Sequence, residues 1–522
     1  MTLRITQVKT DRDDENSIKS ALIKKLKLKS GDLKSWKVYR KSVDARKGDV
    51  HYSWTVDVDL KDEKKHLGKR DIQAAPDKLP IFVPTGTMEL SDRPVVAGFG
   101  PAGMFAALEL ARCGYRPLVI ERGAPIDQRQ KDVENFWKTG QLDPESNVQY
   151  GEGGAGAFSD GKLTTRSKDK MVDVVLELLH KHGAQKDILI DAYPHIGTDA
   201  FVRIIESIRR EIISLGGEFR FHSKLEGIKI KDGQLSAIQV NDEWIDCEAL
   251  ILALGHSATD TIRTLYTQGL PVSNKPFQVG VRIEHTQDFI NEAMLHDHKD
   301  DERLTPARYT LTAMSDNGKG IYTFCMCPGG YVISSAFKPG HLVVNGMSYS
   351  DRGGKNANSA LLVQVNEKDY GDRLFAGVDY QEELERRAFK LGGSFRAPVQ
   401  KAHDYLEGRV SESLSVEPTY EPGTTLADLN ELFSDEVNHA LKQGLEDFER
   451  KVPGFLEGTL TGVESRASSA IRIDRDKETR MSIEGIYPAG EGSGYAGGIM
   501  TSAIDGMKSA QALMDRYAKP EH

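Results

Sequence analysis

Apolar positions alternate over Leu3 to Val8, then recur at helical spacing at Ile18, Leu22, Ile23 and Leu26, then alternate again over Trp36 to Ser42 and His51 to Leu60. Period two reads as strand and period 3.6 as helix, so residues 1–75 read as a small α/β module of βαββ order. Gly68 to Asp92 carries Pro76, Pro80, Pro84 and Gly86 among scattered charges with no sustained period; residues 76–92 are expected to be a linker.

The pattern then changes. Arg93 to Gly98 is a short apolar strand ending in glycine, Ala102 to Cys113 a small-residue helix, and Arg116 to Glu121 a second strand. That βαβ unit has the size of a parallel dinucleotide-binding start. Ala200 to Leu215 reads as an amphipathic helix. Glu218 to Ser223, Leu225 to Lys231 and Leu235 to Val240 read as a three-stranded meander turning at Lys231-Asp232-Gly233, and Cys247 to Leu254 as a buried strand.

Between 270 and 460 the pattern is mixed. Strands are expected at Val279 to Glu284, Tyr322 to Cys327, Tyr331 to Phe337 and Leu342 to Ser348, and helices at Asn358 to Val365, Tyr380 to Lys390, Thr425 to Phe433 and Val437 to Lys451. A last helix, Ile499 to Leu513, follows a glycine-rich stretch. The division expected is 93–269 and 461–522 as two parts of one domain, with 270–460 inserted as a substrate or cap domain.

Composition narrows the class. With 522 residues, 39% hydrophobic and 28% charged, the chain is an ordinary globular protein, not a disordered or fibrous one. No run approaches the roughly 18 to 20 apolar residues of a membrane span, and the N-terminus lacks the basic and apolar regions of a secretory signal. Four cysteines make no disulfide framework, so a cytoplasmic location is expected. Residues 1–90 hold 20 basic against 14 acidic side chains in a chain of net charge −9, and Lys24 to Lys41 holds eight basic residues and one acid. That run reads either as a solvated face or as a surface for an anionic partner such as nucleic acid.

Gly98-Phe99-Gly100-Pro101-Ala102-Gly103 is GxGxxG between a strand and a helix, and Glu121 ends the next strand. Gly98 permits a tight turn, Gly100 lets backbone approach a pyrophosphate, Gly103 lets helix pack on strand, and the helix N-terminus offers N–H groups and positive dipole. The carboxylate of Glu121 suits ribose hydroxyls. A second glycine-rich stretch, Asn147 to Lys162, would let backbone approach a planar ring or phosphate. No second GxGxxG follows a strand in 260–460, so a nicotinamide cofactor, NAD(P)H, would dock only transiently.

The meander, the strand ending at Leu254-Gly255 and the late Gly485-Ile-Tyr-Pro-Ala-Gly490-Glu491 resemble the flavoprotein superfamily that includes glutathione reductase. Ser42 to Arg46, the 147–162 stretch, Phe324 to Gly330, Gly462 to Ser469 and Gly494 to Gly498 further resemble a family of FAD-dependent, NAD(FAD)-utilising dehydrogenases. The resemblance implies an FAD-binding, Rossmann-like α/β domain of the glutathione reductase type, with Glu491 at the flavin's ribityl chain and the Ile499 helix N-terminus at the ring. With the first motif it implies a cofactor set that also takes in Arg122, Gly154, Ser159, Lys162, Leu225, Gly255, Gly490, Gly498 and Ile499. It leaves the substrate open.

Candidates for the substrate side are Glu464, Arg466, Cys325 and Cys327. An Arg466 fork would hold a carboxylate or phosphate, while an Arg–Glu structural pair, with Arg472 nearby, is equally consistent. Alternation puts Cys325 and Cys327 on one side of a strand, as packed apolar residues, a thiol beside the flavin, or half of a metal site; no further ligands complete a metal centre. His256 reads as a loop histidine. The reading is an FAD-dependent oxidoreductase passing a hydride between a small molecule and flavin; the alternatives are an RNA-associated flavoprotein and a non-catalytic FAD-binding module.

Overall fold

The computed structural model describes all residues except Ser30, Arg46, Lys47, Arg166 and His522; Arg46, which closes the first stretch of family likeness, therefore lies outside the described residues. At the N-terminus an antiparallel sheet in the order Leu33–Asp44, His51–Leu60, Leu3–Thr10 and Ile72–Ala74 packs on the helix Glu15–Leu26. The inward face of each alternating run, Leu3, Ile5, Trp54, Val56 and Val58, meets the helical stripe Ile18, Leu22 and Leu26 in a core of its own. Asp14 caps the helix by accepting the Ser17 N–H at 2.9 Å.

Five strands form a parallel sheet in the order Ile486–Pro488, Leu250–Leu252, Val95–Ala97, Leu118–Ile120, Glu218–Arg220. The side-chain alternation divides its residues between two cores. Val96, Val119 and Ile251 pack with the helices Pro101–Arg112 and Ile499–Arg516. Val95, Ala97, Leu118, Ile120, Leu250 and Leu252 pack with the meander on the opposite face. Glu218–Arg220 was expected in that meander, but it is an edge strand of the parallel sheet, and the meander is Leu225–Lys231, Gln234–Val240 and Glu243–Asp246. Left-handed His222 (φ 51°) turns the chain out of one sheet before it enters the other, a break that apolar alternation does not register.

A mixed sheet of seven strands runs Thr312–Met314, Gly320–Cys327, Asn356–Val365, Phe277–Thr286, Thr459–Glu464, Ala397–Lys401, Thr424–Leu426. The expected helix over 358–365 is a central strand. It pairs with neighbours on both sides and is buried on both faces, so its apolar run has no period to distinguish strand from helix. The expected helix over 425–433 resolves into the strand Thr424–Leu426 and a 3-10 turn at Leu429–Glu431 started by Asp428, whose side chain accepts the Asn430 N–H. Helices Ala376–Gly392 and Asp435–Lys451 cover this sheet. Among the described residues no helix is long and apolar enough to cross a membrane.

Candidate functional site

A cavity of about 1780 Å³ begins at the carboxyl ends of the parallel strands and runs beneath the seven-stranded sheet to the N-terminal module. Ligand clefts in open α/β sheets lie at this end of the strands. Gly98, Gly100, Pro101, Ala102, Glu121, Arg122, Gly154, Ser159, Lys162, Leu225, Gly255, Gly490, Glu491, Gly498 and Ile499 line it, as do Cys325, Glu464 and Arg466. Phe99, Gly103 and Cys327 do not. Phe99 is core, edge-on to Phe219 at 4.8 Å, and Gly103 is where helix meets strand: a Cβ there would lie 1.8 Å from Gly98 O.

The cleft fits a dinucleotide. Two helices, Pro101–Arg112 and Ile499–Arg516, start at Gly100 and Gly498 without a side-chain cap, and both glycines line the cavity. The glycine-rich loop presses against the first of these starts, where a Cβ on Gly154 would come 2.8 Å from Gly100 Cα. Glu121 ties the cleft together: Oε2 accepts the Phe99 N–H at 2.8 Å, and Oε1 accepts the N–H groups of Gly123 and Gly151 at 3.0 Å each. With one bond on Oε2, the carboxylate keeps acceptor capacity for a ribose hydroxyl. Arg122 lies 3.8 Å over the Tyr150 ring and pairs with Glu145 and Asp260. Burial pushes the Glu491 carboxyl up to about 7.

The residue that shapes the glycine-rich loop is Arg129, which the motif reading missed. Fully buried, it donates to five carbonyls: Asn147 (2.8 Å), Val148 (2.9 Å), Gly151 (3.2 Å), Glu152 (2.7 Å) and Gly154 (2.9 Å). The signal was available, because Ile126, Arg129, Val133 and Phe136 form the buried stripe of the helix Ile126–Thr139, with an arginine where an apolar residue is due. Ser159, expected at the cofactor, lines the cavity and also closes the loop on itself: Oγ donates to Gly156 O at 2.9 Å and accepts the Gly161 N–H at 3.2 Å.

In the same loop Glu152 is wholly buried. Oε2 accepts the Ile126 N–H at 2.8 Å and faces Arg209 at 3.2 Å, while Oε1 has no hydrogen-bond partner. Burial raises its pKa to about 7, above the roughly 4.3 of an unfolded chain. A raised carboxyl favours folding while protonated, so its contribution is complete below pH ~4.3 and is lost as pH rises through about 7. Glu152→Gln is therefore expected to flatten the fall in thermal midpoint between pH ~5 and ~7.5, read by scanning calorimetry across that window.

The expected substrate fork is not free. Arg466 is bidentate to Glu385 of the helix Ala376–Gly392 (2.6 and 3.1 Å), and Glu464 is bidentate to Arg282 (2.5 and 3.0 Å). The four side chains are buried, so these are two structural pairs in the cavity wall. Only Arg466 Nη1 lacks a hydrogen-bond partner. Arg472 is exposed and stacks at 5.2 Å on Tyr495. His256, pushed down to about 3 by burial, contacts Ser257 Oγ at 3.0 Å.

A bulge interrupts the expected alternation of the cysteines, whose thiols nonetheless meet in a hydrogen bond. Pairing shifts register between Phe324 and Cys327, and Cys325 takes φ 44°, so Cys325 opens on the cavity while Cys327 is fully buried. Arg282 holds this bulge. Nη1 donates to Cys325 O (3.0 Å) and Asn358 Oδ1 (2.9 Å), and Nη2 to Asn345 Oδ1 (3.0 Å). The Lys162 ammonium, expected at the flavin, donates to Met326 O in the same bulge. An S–H bond from Cys327, with the cations of Lys162 and Arg282, holds the Cys325 thiol well below its usual range, while Cys327 is held well above it. Burial raises Cys113 to about 11 and Cys247 to about 12. All four cysteines are free.

The N-terminal module forms the far wall: Trp36, Val38 and Arg40 line the cavity, and Lys41 exchanges backbone hydrogen bonds with Ile190 and Ala192. Lys37 and Arg40 of the basic run thus face the cavity.

Residues 276–467 match the family described as FAD-dependent protein, C-terminal domain-like, and residues 2–59 match a domain of unknown function. An uncharacterized protein of Clostridium beijerinckii is 44% identical over 533 residues, covering the whole of both chains. Among solved structures, a geranylgeranyl bacteriochlorophyll reductase-like protein from Thermoplasma acidophilum is 14% identical with a TM-score of 0.36, covering 82% of this chain and 79% of its own. The L-proline dehydrogenase from P. horikoshii is 11% identical with a TM-score of 0.33, covering 83% and 94%. At 44% identity from end to end, the chain belongs to the family of the Clostridium beijerinckii protein, and FAD is its cofactor.

Proposed function

We propose that this protein is an FAD-dependent oxidoreductase of the glutathione reductase type, in which residues 93–269 and 461–522 hold FAD and 270–460 hold a small-molecule substrate. The observation that carries this reading is the continuity of the cavity: one space joins the glycine-lined dinucleotide cleft to a chamber walled by Cys325, Lys162, Glu464 and Arg466. FAD supplies a ring that exchanges a hydride at N5. Glu121 and the Pro101–Arg112 helix start hold its adenosine and pyrophosphate part, and Glu491 with the Ile499–Arg516 start holds the ribityl and ring end. The Arg282–Glu464 and Arg466–Glu385 pairs keep the chamber wall rigid, and Cys325 presents its sulfur to the substrate. Electrons come from the substrate or from a nicotinamide that docks transiently.

The test is an absorbance spectrum of the purified protein followed by anaerobic titration with NADH, then NADPH, then candidate small-molecule donors. A bound flavin bleached by any of these is expected. A flavin that none reduces, and that after photoreduction passes electrons to dioxygen alone, would replace this reading by a non-catalytic FAD-binding module.

Cys325 is expected to alkylate first. Iodoacetamide at pH ~7 should label it ahead of Cys113, Cys247 and Cys327, because the thiolate is the reacting form. Peptide mapping by mass spectrometry reads the order, and equal labelling of the four would remove the activated thiol from the site.

A further inference from the structure

Past the Cys325 bulge, the cavity ends at a cluster of charged side chains centred on Asp160. Asp160 is 1% exposed and accepts a hydrogen bond from the Ser348 hydroxyl. Lys162 Nζ and Arg352 Nη2 lie 3.6 and 3.7 Å from its Oδ2, and His195 Nε2 lies 3.7 Å from Oδ1. These separations exceed hydrogen-bond length. Asp160 Oδ2, His195 Nε2 and both Nε and Nη2 of Arg352 are buried without a hydrogen-bond partner, and Arg352 as a whole is 8% exposed.

Arg308 completes the group. It lines the cavity, stacked 4.1 Å over Tyr193, and feels the charges of Arg352, Asp160 and Asp191. Asp191 feels both Lys41 and Arg308, and Lys41 is itself ion-paired with Asp13. Burial first and then Arg352 lower the pKa of Arg308, and the same two causes push His195 down to about 4, so the histidine is neutral at pH 7. Lys162, Arg308 and Arg352 thus stand as three cations against two carboxylates, Asp160 and Asp191.

Buried donors are almost always paired, and buried charge is almost always balanced. This cluster satisfies neither rule, and it borders a cavity large enough to admit a ligand. A planar or tetrahedral oxyanion answers both deficits, since it accepts several N–H bonds at once and supplies negative charge. We propose that Lys162 and Arg308, which line the cavity, bind the carboxylate or phosphate group of the substrate, while Arg352, buried behind Asp160 and outside the lining, adds positive charge to the site. The proposal rests on reading the chamber as the substrate site. The Lys162 ammonium touches the Cys325 bulge, and Cys325 acts electrostatically on Glu491; an anion held here leaves the rest of the substrate directed toward the flavin end of the cavity.

The experiment is calorimetric titration of the purified full-length protein with sodium succinate and, separately, with inorganic phosphate in a constant chloride background, with flavin content read from absorbance of the same samples. One saturable site with a Kd on the order of 1 mM is expected for at least one anion. Binding by succinate alone identifies a carboxylate substrate, and by phosphate alone a phosphorylated one. Arg308→Gln should weaken binding by about tenfold or more with flavin content unchanged, and Arg308→Lys should restore part of it. Arg308 is partly exposed and stacked on one ring, so both variants keep the fold. No saturable heat with either anion, or equal affinity in Arg308→Gln, overturns the proposal. A sample that binds the anion without flavin contradicts the flavoenzyme reading and leaves the oxyanion site standing.

Discussion

Arg129→Ala is expected to yield protein with less than about one tenth of the wild-type flavin and a markedly lower thermal midpoint. Five carbonyls of the 147–154 loop converge on this one buried guanidinium; Gly151 and Gly154 also accept backbone N–H groups, so the loss falls mainly on Asn147, Val148 and Glu152. Each hydrogen bond to a charged donor contributes about 1.5–3 kcal/mol, and each carbonyl left unsatisfied costs about 1–3 kcal/mol. Even with partial relaxation, the loss exceeds about 3 kcal/mol at the loop, enough to release Gly154 from its contact with Gly100. Arg129→Lys brings one ammonium with three donors and no fork, and is expected to fall between the two. Absorbance at the flavin band per mole of protein and scanning calorimetry read both effects. Full flavin content in Arg129→Ala would show that the loop keeps its shape without the arginine.

Arg282→Ala is expected to be the other severe substitution, costing about 3–5 kcal/mol because it leaves Glu464 buried and unpaired. Arg282 also releases Asn345, Asn358 and the Cys325 carbonyl when removed, so the bulge that points Cys325 into the cavity loses its brace. Preferential labelling of Cys325 should disappear together with stability. The double variant Arg282→Met with Glu464→Met removes both charges and should recover much of the stability without recovering the labelling. That separation distinguishes a brace for Cys325 from a pair that serves folding alone. Recovery of both in the double variant would assign the pair to folding.

Much of this protein is written in local sequence. The N-terminal strands and helix follow from alternation and 3.6-residue spacing, and GxGxxG between strand and helix marks the cleft because each glycine answers a backbone demand within a few residues of itself. Where an element is buried on every side, the period vanishes. Asn356–Val365 shows this, an unbroken apolar strand that reads equally as helix until its two neighbours pair with it. Glu218–Arg220 shows a related limit, since nothing within three residues states which sheet will receive them.

The chemistry of the chamber was decided by partners far along the chain. Glu464 and Arg466 sit two residues apart on a motif that reads as a substrate fork, but Arg282 and Glu385, 182 and 81 residues away, take them as ion-pair partners. Cys325 and Cys327 alternate in sequence, but a bulge held by Arg282 opens Cys325 on the cavity and leaves Cys327 buried behind it, still hydrogen-bonded to the Cys325 thiol. The oxyanion cluster draws on residues 160, 162, 195, 308 and 352, and the basic N-terminal run contributes a cavity wall. Sequence by itself determined the elements that keep one face to solvent and the glycine-lined cleft, whose constraints are steric and local. Only the tertiary structure decided which charges are paired and which remain available, because a charge's partner is set by distance through space.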